Sequence, residues 1–265
     1  MRPEQSAFMP RFASQLRSSA PAFALFLSVG VAWELIVRTF NIATYLLPAP
    51  SAILTKMIEA RAMLFQNLVS TMAASMAGFL IGTLLAILTA VVFLYSRTLE
   101  RALFPWALII KAVPILAIAP LLTIWLGFGL APKIAISAIA CYFPVLVNAA
   151  KGLRTVGRPA MEFLAIVGAS KRQSFFHARW FAALPYIFAA AKISSSTAVI
   201  GAIVAEFTGA NLGIGTVIVT AGYQQDTTML FSAIVISSIA TIILFYIVVL
   251  AEKLCLYWPE AQAED

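Results

Sequence analysis

Apolar residues along this chain come in long runs rather than in alternation. The runs fall near residues 20–39, 68–95, 102–126, 132–150, 183–205 and 228–251. Most are close to the roughly 20 residues that a helix needs to cross the hydrocarbon core of a bilayer. A spanning segment has no water to bond its backbone, so each run is predicted to be a helix. A transmembrane barrel would need short alternating segments, and these runs do not alternate. The pattern predicts an all-α, polytopic membrane protein with about six transmembrane helices. Its expected parts are an N-terminal segment 1–19, a transmembrane domain 20–251 and a C-terminal tail 252–265. The first run follows Arg2, Arg11 and Arg17 in the charge order of a signal peptide. It is too long for one and lacks a small-x-small cleavage site, so an uncleaved first span is predicted.

Composition supports the pattern. Of 265 residues, 62% are hydrophobic and 11% charged, and mean hydropathy is +0.95. Soluble domains carry near 25% charged residues. The net charge of +7 would elsewhere suggest nucleic acid, but in a membrane protein excess Lys and Arg mark cytoplasmic loops. With the N-terminus placed inside, 12 basic residues fall in inside segments and 4 in outside ones (Arg38, Lys56, Arg61 and Lys133). That bias predicts both termini in the cytoplasm. Cys141, Cys255 and the single histidine, His177, have no metal-ligand spacing.

Three connections interrupt the runs. Segment 39–67 holds Leu47-Pro48-Ala49-Pro50-Ser51 and a mildly amphipathic stretch, Ala52–Leu64; Ser51 is placed to cap a short helix at the outer interface. Segment 206–227 holds four glycines, with Glu206 and Asp226 as its charges. Segment 151–182 is the longest inside loop and carries six basic residues. Within it, Pro159 suits a first helical turn, and Met161, Phe163, Leu164, Ile166 and Val167 make that helix apolar. Gly168 is placed to end it and Ser170 to cap a second short helix from about Lys171. Two short helices joined at a glycine form a knob that can seat in a partner's groove and transmit a push.

The residues of this loop resemble a known family. Glu162-Phe163-Leu164, three residues and then Gly168 is similar to the Glu-Ala-Ala-x-x-x-Gly motif of bacterial ATP-binding-cassette importer permeases. Gly168-Ala169-Ser170 matches the usual Gly-Ala-Ser, and Leu184-Pro185 resembles the closing Leu-Pro. Ala119–Gly129, Gly201–Phe207 and Leu212–Gly215 look like the nitrate/sulfonate/taurine-type branch, and the likeness covers roughly residues 65–250. Phe163 and Leu164 replace the motif's alanines. Phe181 stands where the family usually has proline, which leaves room for a longer second helix. The resemblance implies a type I importer permease fold with a coupling helix docked on an ATPase subunit. It assigns ATPase coupling to Glu162, Gly168, Ala169, Ser170 and Lys171. It also implies a periplasmic solute-binding protein and a permease homodimer in the bacterial inner membrane. No Gly-x-x-x-x-Gly-Lys-Ser/Thr occurs in the chain, so ATP and Mg are expected on the separate ATPase.

Polar residues inside the runs are candidates for a solute path. Lys111 lies about ten residues into a run, near mid-bilayer at about 1.5 Å per residue. It either lines a path for a polar or anionic solute or bonds carbonyls freed by Pro105 and Pro114. Ser195 and Ser196, in the run Ser194–Thr197, either line a path or let helices pack closely. Glu206, at the outer end of the same run, is a gate, a dimer contact or a solvated helix end. Lys192, nearer the inside end, is placed to snorkel.

The resemblance implies the membrane subunit of an ATP-driven importer of nitrate, a sulfonate, taurine or a pyrimidine-like compound. The alternative is an ion-coupled secondary transporter, which predicts inverted repeats and more intramembrane acids. Only Glu34 lies clearly within a run. A membrane enzyme would need clustered His, Asp or Cys at one face.

Overall fold

The computed structural model describes residues 9–256, with backbone alone for residues 9–20 and 22. Residues 1–8 and 257–265 lie outside the described residues, and with them parts of the expected N-terminal segment and tail. The order is α1 (Met9–Thr39), α2 (Pro50–Glu59), α3 (Arg61–Tyr95), α4 (Arg97–Ala112), α5 (Ile115–Leu126) and α6 (Leu130–Gly152). Then come α7 (Arg158–Ile166), α8 (Lys171–Ser174), a π turn (Phe175–Arg179), α9 (Trp180–Glu206), α10 (Ile214–Tyr223) and α11 (Thr227–Cys255).

Four helical stretches among the described residues are long and apolar enough to cross a membrane: α3, α6, the continuous Lys171–Glu206 and α11. The bent pair α4 and α5 would make a fifth. The first expected span falls on α1, whose N-terminal side chains are outside the description.

Three expectations need correction. The run 102–126 is not one straight span: α4 and α5 meet at 99°. Pro114 has no N–H to continue the ladder, and Val113 before it is extended, at φ −70° and ψ 130°. Lys111 therefore sits exposed in the last turn of α4, beside an elbow, and not halfway along a continuous helix. The expected second short helix is also not separate. Nothing between Lys171 and Leu184 removes a backbone donor, so α8 runs through the π turn into α9. Finally, Ser51 does not cap α2. Pro50 takes the first helical position, and Glu34 of α1 does the capping. Its Oε2 accepts from Ser51 N (3.0 Å), and its Oε1 accepts from Ser51 Oγ (2.7 Å) and Arg38 Nε (2.6 Å).

The core is where α3, α6 and α9 meet. Along α3, Ala74, Gly78, Gly82, Ala86 and Ala90 recur every fourth residue, so small side chains share one face. Such faces let helix backbones approach in lipid, where packing takes the place of the hydrophobic effect. Gly82 lies so near α6 that a Cβ there would stand 2.5 Å from the Ala138 carbonyl oxygen and 2.9 Å from its Cα. Gly201 of α9 stands likewise against Ser137. Ser137 Oγ donates to Ala198 O (2.9 Å), and Cys141 Sγ donates to Ser194 O (3.2 Å). Larger residues fill one end: Phe93, Val145, Leu146, Leu153 and Ile187. α11 packs on α9, joined near its C-terminal end by Lys192 and Glu252 at 2.9 Å.

Gly82→Ala is expected to destabilise the fold by about 1–3 kcal/mol, because backbone cannot yield to an added methyl. Gly30→Ala, with nothing within 4 Å of the added Cβ, is the control. Reversible unfolding in mixed micelles reads both. Equal stability of the two variants would contradict the close α3–α6 approach.

Candidate functional site

Two regions stand out for their polar chemistry. The first is the loop between α6 and α8. Its root is tied to the core. Gly152 lets Ala183 and Tyr186 of α9 lie against the end of α6. Arg154 grips Glu100 with two bonds of 2.7 Å and donates to Phe93 O (2.9 Å), joining the loop to α3 and α4. A bidentate guanidinium–carboxylate pair fixes direction as well as distance. Arg179 Nη1 donates to Leu153 O (3.0 Å), and Lys151 lies 5.6 Å from the centre of the Tyr186 ring.

The loop's tip is the short helix α7, which buries no side chain. Phe163, Ile166 and Val167 are 63%, 84% and 59% exposed. The end of α7 is built to turn sharply. Ala169 N bonds Leu164 O (2.9 Å) and Gly168 N bonds Ala165 O (3.1 Å), the paired closure of a Schellman motif. Gly168 sits at φ +73°, where a Cβ would be strained. Ser170 then opens α8 with a capping box: Gln173 N donates to Ser170 Oγ (3.2 Å), and Ser170 N donates to Gln173 Oε1 (2.8 Å). Glu162, Gly168, Ala169, Ser170 and Lys171 are thus brought together on one rigid elbow.

The second region lies at the other end of the bundle. Lys133, 3% exposed, and Glu206, 1% exposed, form a buried ion pair at 3.1 Å. Lys133 Nζ also donates to Ser70 Oγ (3.1 Å) and to Leu212 O. Its three N–H donors are thereby used. The Glu206 carboxylate accepts from Thr71 Oγ1 (2.8 Å) and from Gly215 N (2.8 Å). Thr71 Oγ1 accepts in turn from Ile214 N (2.8 Å), and Asn67 Oδ1 accepts from Gly213 N (2.8 Å). The leading N–H groups of α10 would have no partner in their own helix; side chains of α3 and α9 supply them. Glu206 also sets a negative charge against the positive end of α10. Gly213, at φ +141°, leaves room for that carboxylate.

Lys133 was legible as an outside basic residue and nothing more. The available signal was its pairing logic. α6 begins and α9 ends at the same membrane face, each with one charge, and the charges are opposite. The candidate path residues are not brought together. Lys111 is exposed on α4, Ser196 is half-buried, and Ser195 is fully buried with its Oγ donating to Lys192 O (2.7 Å). Glu206 lies inside the polar network. No cluster of three or more His, Cys, Asp or Glu able to hold a metal occurs among the described residues.

Lys133→Met is expected to cost about 3–5 kcal/mol, because it leaves a buried carboxylate without its cation. Lys133→Met combined with Glu206→Gln is expected to cost less than the sum of the two single changes. Unfolding of the four proteins in one detergent measures the coupling, and strict additivity would mean that the pair does not interact.

Comparison with known proteins bears on the family and the fold. Residues 78–254 match the family described as the binding-protein-dependent transport system inner membrane component. The chain is 31% identical over 238 residues to the formylaminopyrimidine transport permease protein ThiX of Halalkalibacterium halodurans, covering 89% of this chain and 95% of that one. It is 26% identical over 237 residues to the taurine transport system permease protein TauC of Escherichia coli, covering 87% and 85%. In fold it is similar to a chain of the MetNI methionine ABC transporter in an inward-facing conformation, with a TM-score of 0.56 at 20% identity, over 77% of this chain and 96% of that one. The chain belongs to the family of binding-protein-dependent transport system inner membrane components, the ATP-binding-cassette importer permeases, in the branch that includes the sulfonate and taurine permeases.

Proposed function

We propose that this permease carries a small polar or anionic solute inward by alternating access, and that the α7–Gly168 elbow is where ATP hydrolysis enters the membrane domain. The observation that carries the reading is the exposed face of Phe163, Ile166 and Val167 on a helix that buries no side chain. An apolar face of this kind marks a docking surface. The partners that suit it are ATP-binding-cassette ATPases, which would hold the ATP and Mg. A solute-binding protein would deliver cargo to the opposite face, near α10. The excess of basic residues in the inside segments supports cytoplasmic termini and a cytoplasmic elbow. A homodimer would supply the second half of the pathway.

Relatives named for formylaminopyrimidine and for taurine support the solute class: a nitrate-like ion, a sulfonate, taurine or a pyrimidine-like compound. Lys111 is the exposed cation near the α4–α5 elbow and is the best placed to meet an anionic group. Ser196, half-buried on α9, would be a separate contact on the route. Ser195 and Glu206 would reach solute only if α9 turned. An ion-coupled mechanism has no observation in its favour.

The test is ATP hydrolysis by the complete complex in nanodiscs with its binding protein. Gly168→Pro removes the Gly168 N bond and demands a φ near −65° where +73° is present. Glu162→Lys reverses a charge on the docking helix. Each is expected to lower stimulated hydrolysis about tenfold or more, the equivalent of about 1.4 kcal/mol of lost coupling, while the complex stays folded by circular dichroism. Full activity in both variants, or uptake that follows a proton gradient without ATP, would overturn the reading.

A further inference from the structure

The coupling helix has a second face. Met161 and Ala165 look back toward the end of α3, and with Leu94 and Tyr95 they wall a groove of about 330 Å³. That is the scale of a small-molecule site. Two cations, Lys171 and Arg179, line the same groove, and no carboxylate does. Lys171 forms no salt bridge among the described residues. Arg179 uses one donor on Leu153 O, of the five that a guanidinium carries. Of the nearby acids, Glu100 is held by Arg154, and Glu162 is exposed on α7 and is not part of the lining.

The setting narrows the ligand. Tyr95 ends a 35-residue apolar helix. Above it, Ile81, Leu85, Leu88 and Val92 make an exposed apolar stripe running along α3 to the groove. Around the groove, Phe175 stacks near Tyr95 at 6.3 Å, Phe176 at 5.1 Å and Trp180 at 6.3 Å. Aromatic rings gather where a membrane meets water. A cationic groove inside such a belt, continuous with an apolar stripe, suits a molecule with an anionic head and long apolar tails. Basic pockets between spans on the cytoplasmic side take anionic lipid head groups.

We propose that the groove between α7, α8 and the end of α3 binds an anionic phospholipid, with its phosphate between Lys171 and Arg179 and its tails along Leu88 and Val92. This rests on the cytoplasmic placement of the elbow given above. The lipid would fill the space behind the coupling helix and set its distance from the membrane. The outer face of α7 stays available to the ATPase.

Native mass spectrometry of the purified complex, with dioleoyl phosphatidylglycerol and dioleoyl phosphatidylcholine supplied in equal amounts, tests this. The wild-type permease is expected to retain phosphatidylglycerol over phosphatidylcholine by about thirtyfold, the size expected of two cations at a membrane surface. Lys171→Gln should cut the preference about fivefold, Lys171→Arg should keep it, and Met161→Trp should abolish retention by filling the groove. Equal retention of both lipids by wild type, or an unchanged preference in both Lys171→Gln and Met161→Trp, overturns the proposal. Loss of the preference on adding millimolar inorganic phosphate also overturns it, since the site would then hold a free anion. Lipid is counted on the permease mass itself, so absence of a co-purifying ATPase would defeat the importer reading without touching this result.

Discussion

The close approach of α3, α6 and α9 determines where everything else can be. In a bilayer no apolar gain draws one helix to another, so contact depends on how near the backbones can come. Gly78 and Gly82 face Ser137 and Ala138, and Gly201 faces Ser137 from the other side. α6 is therefore held between two helices with almost no side chain between them. Buried alanines extend the seam, including Ala86, Ala90, Ala149 and Ala183. Bulky apolar residues are displaced outward, to the faces that meet lipid or partner. That is why so many Leu, Ile and Phe residues are exposed.

The two ends of this seam carry its largest polar networks, and the ends differ in kind. At one end a lysine and a carboxylate are buried together, with Thr71, Asn67 and the first N–H groups of α10 completing their bonds. Every donor there has a place, so the arrangement resists distortion. At the other end the bonds are at the root of the loop, through Arg154 and Arg179, and the tip presents apolar side chains to the outside. One end closes on itself and the other leaves its apolar side chains uncovered.

Much of this was legible in the sequence, and the failures have physical causes. The long runs became α3, α6, α9 and α11 because a lipid-crossing helix advertises itself by composition. The elbow was legible because Gly168 and Ser170 act through their own neighbours: each bond of the Schellman closure and capping box spans five residues or fewer. α3 began earlier than its run because Arg61, Gln66 and Asn67 lower the hydropathy of a turn that still folds as helix. Lys133 was misplaced for the opposite reason. Its partner, Glu206, is 73 residues away, and no local pattern announces such a pair. A charge at the edge of an apolar run reads as exterior until its counterion is found.

The corrected second helix changes how force can travel. A separate short helix after Ser170 would have ended in a loop, and a loop absorbs displacement. Instead the chain from Lys171 to Glu206 is continuous over 36 residues, about 54 Å at 1.5 Å per residue. Its soft points are near the elbow: the π turn at Phe175–Arg179 and Pro185. Beyond them α9 is bonded to α6 at Ser194 and Ala198 and ends in the buried pair with Lys133. A push on the capped end at Ser170 therefore either bends α9 in its first third or moves α9 and α6 together. The second outcome carries the Glu206 network with it, because Lys133 belongs to α6 and Glu206 to α9. An opening at the polar end would therefore have to move α6 along with α9, or break the Lys133–Glu206 pair. While that pair holds, the polar end makes α6, α9 and the start of α10 one body, so that any rearrangement of the membrane domain must occur at the surfaces of that body, where α4 and α5 meet it with a 99° elbow between them.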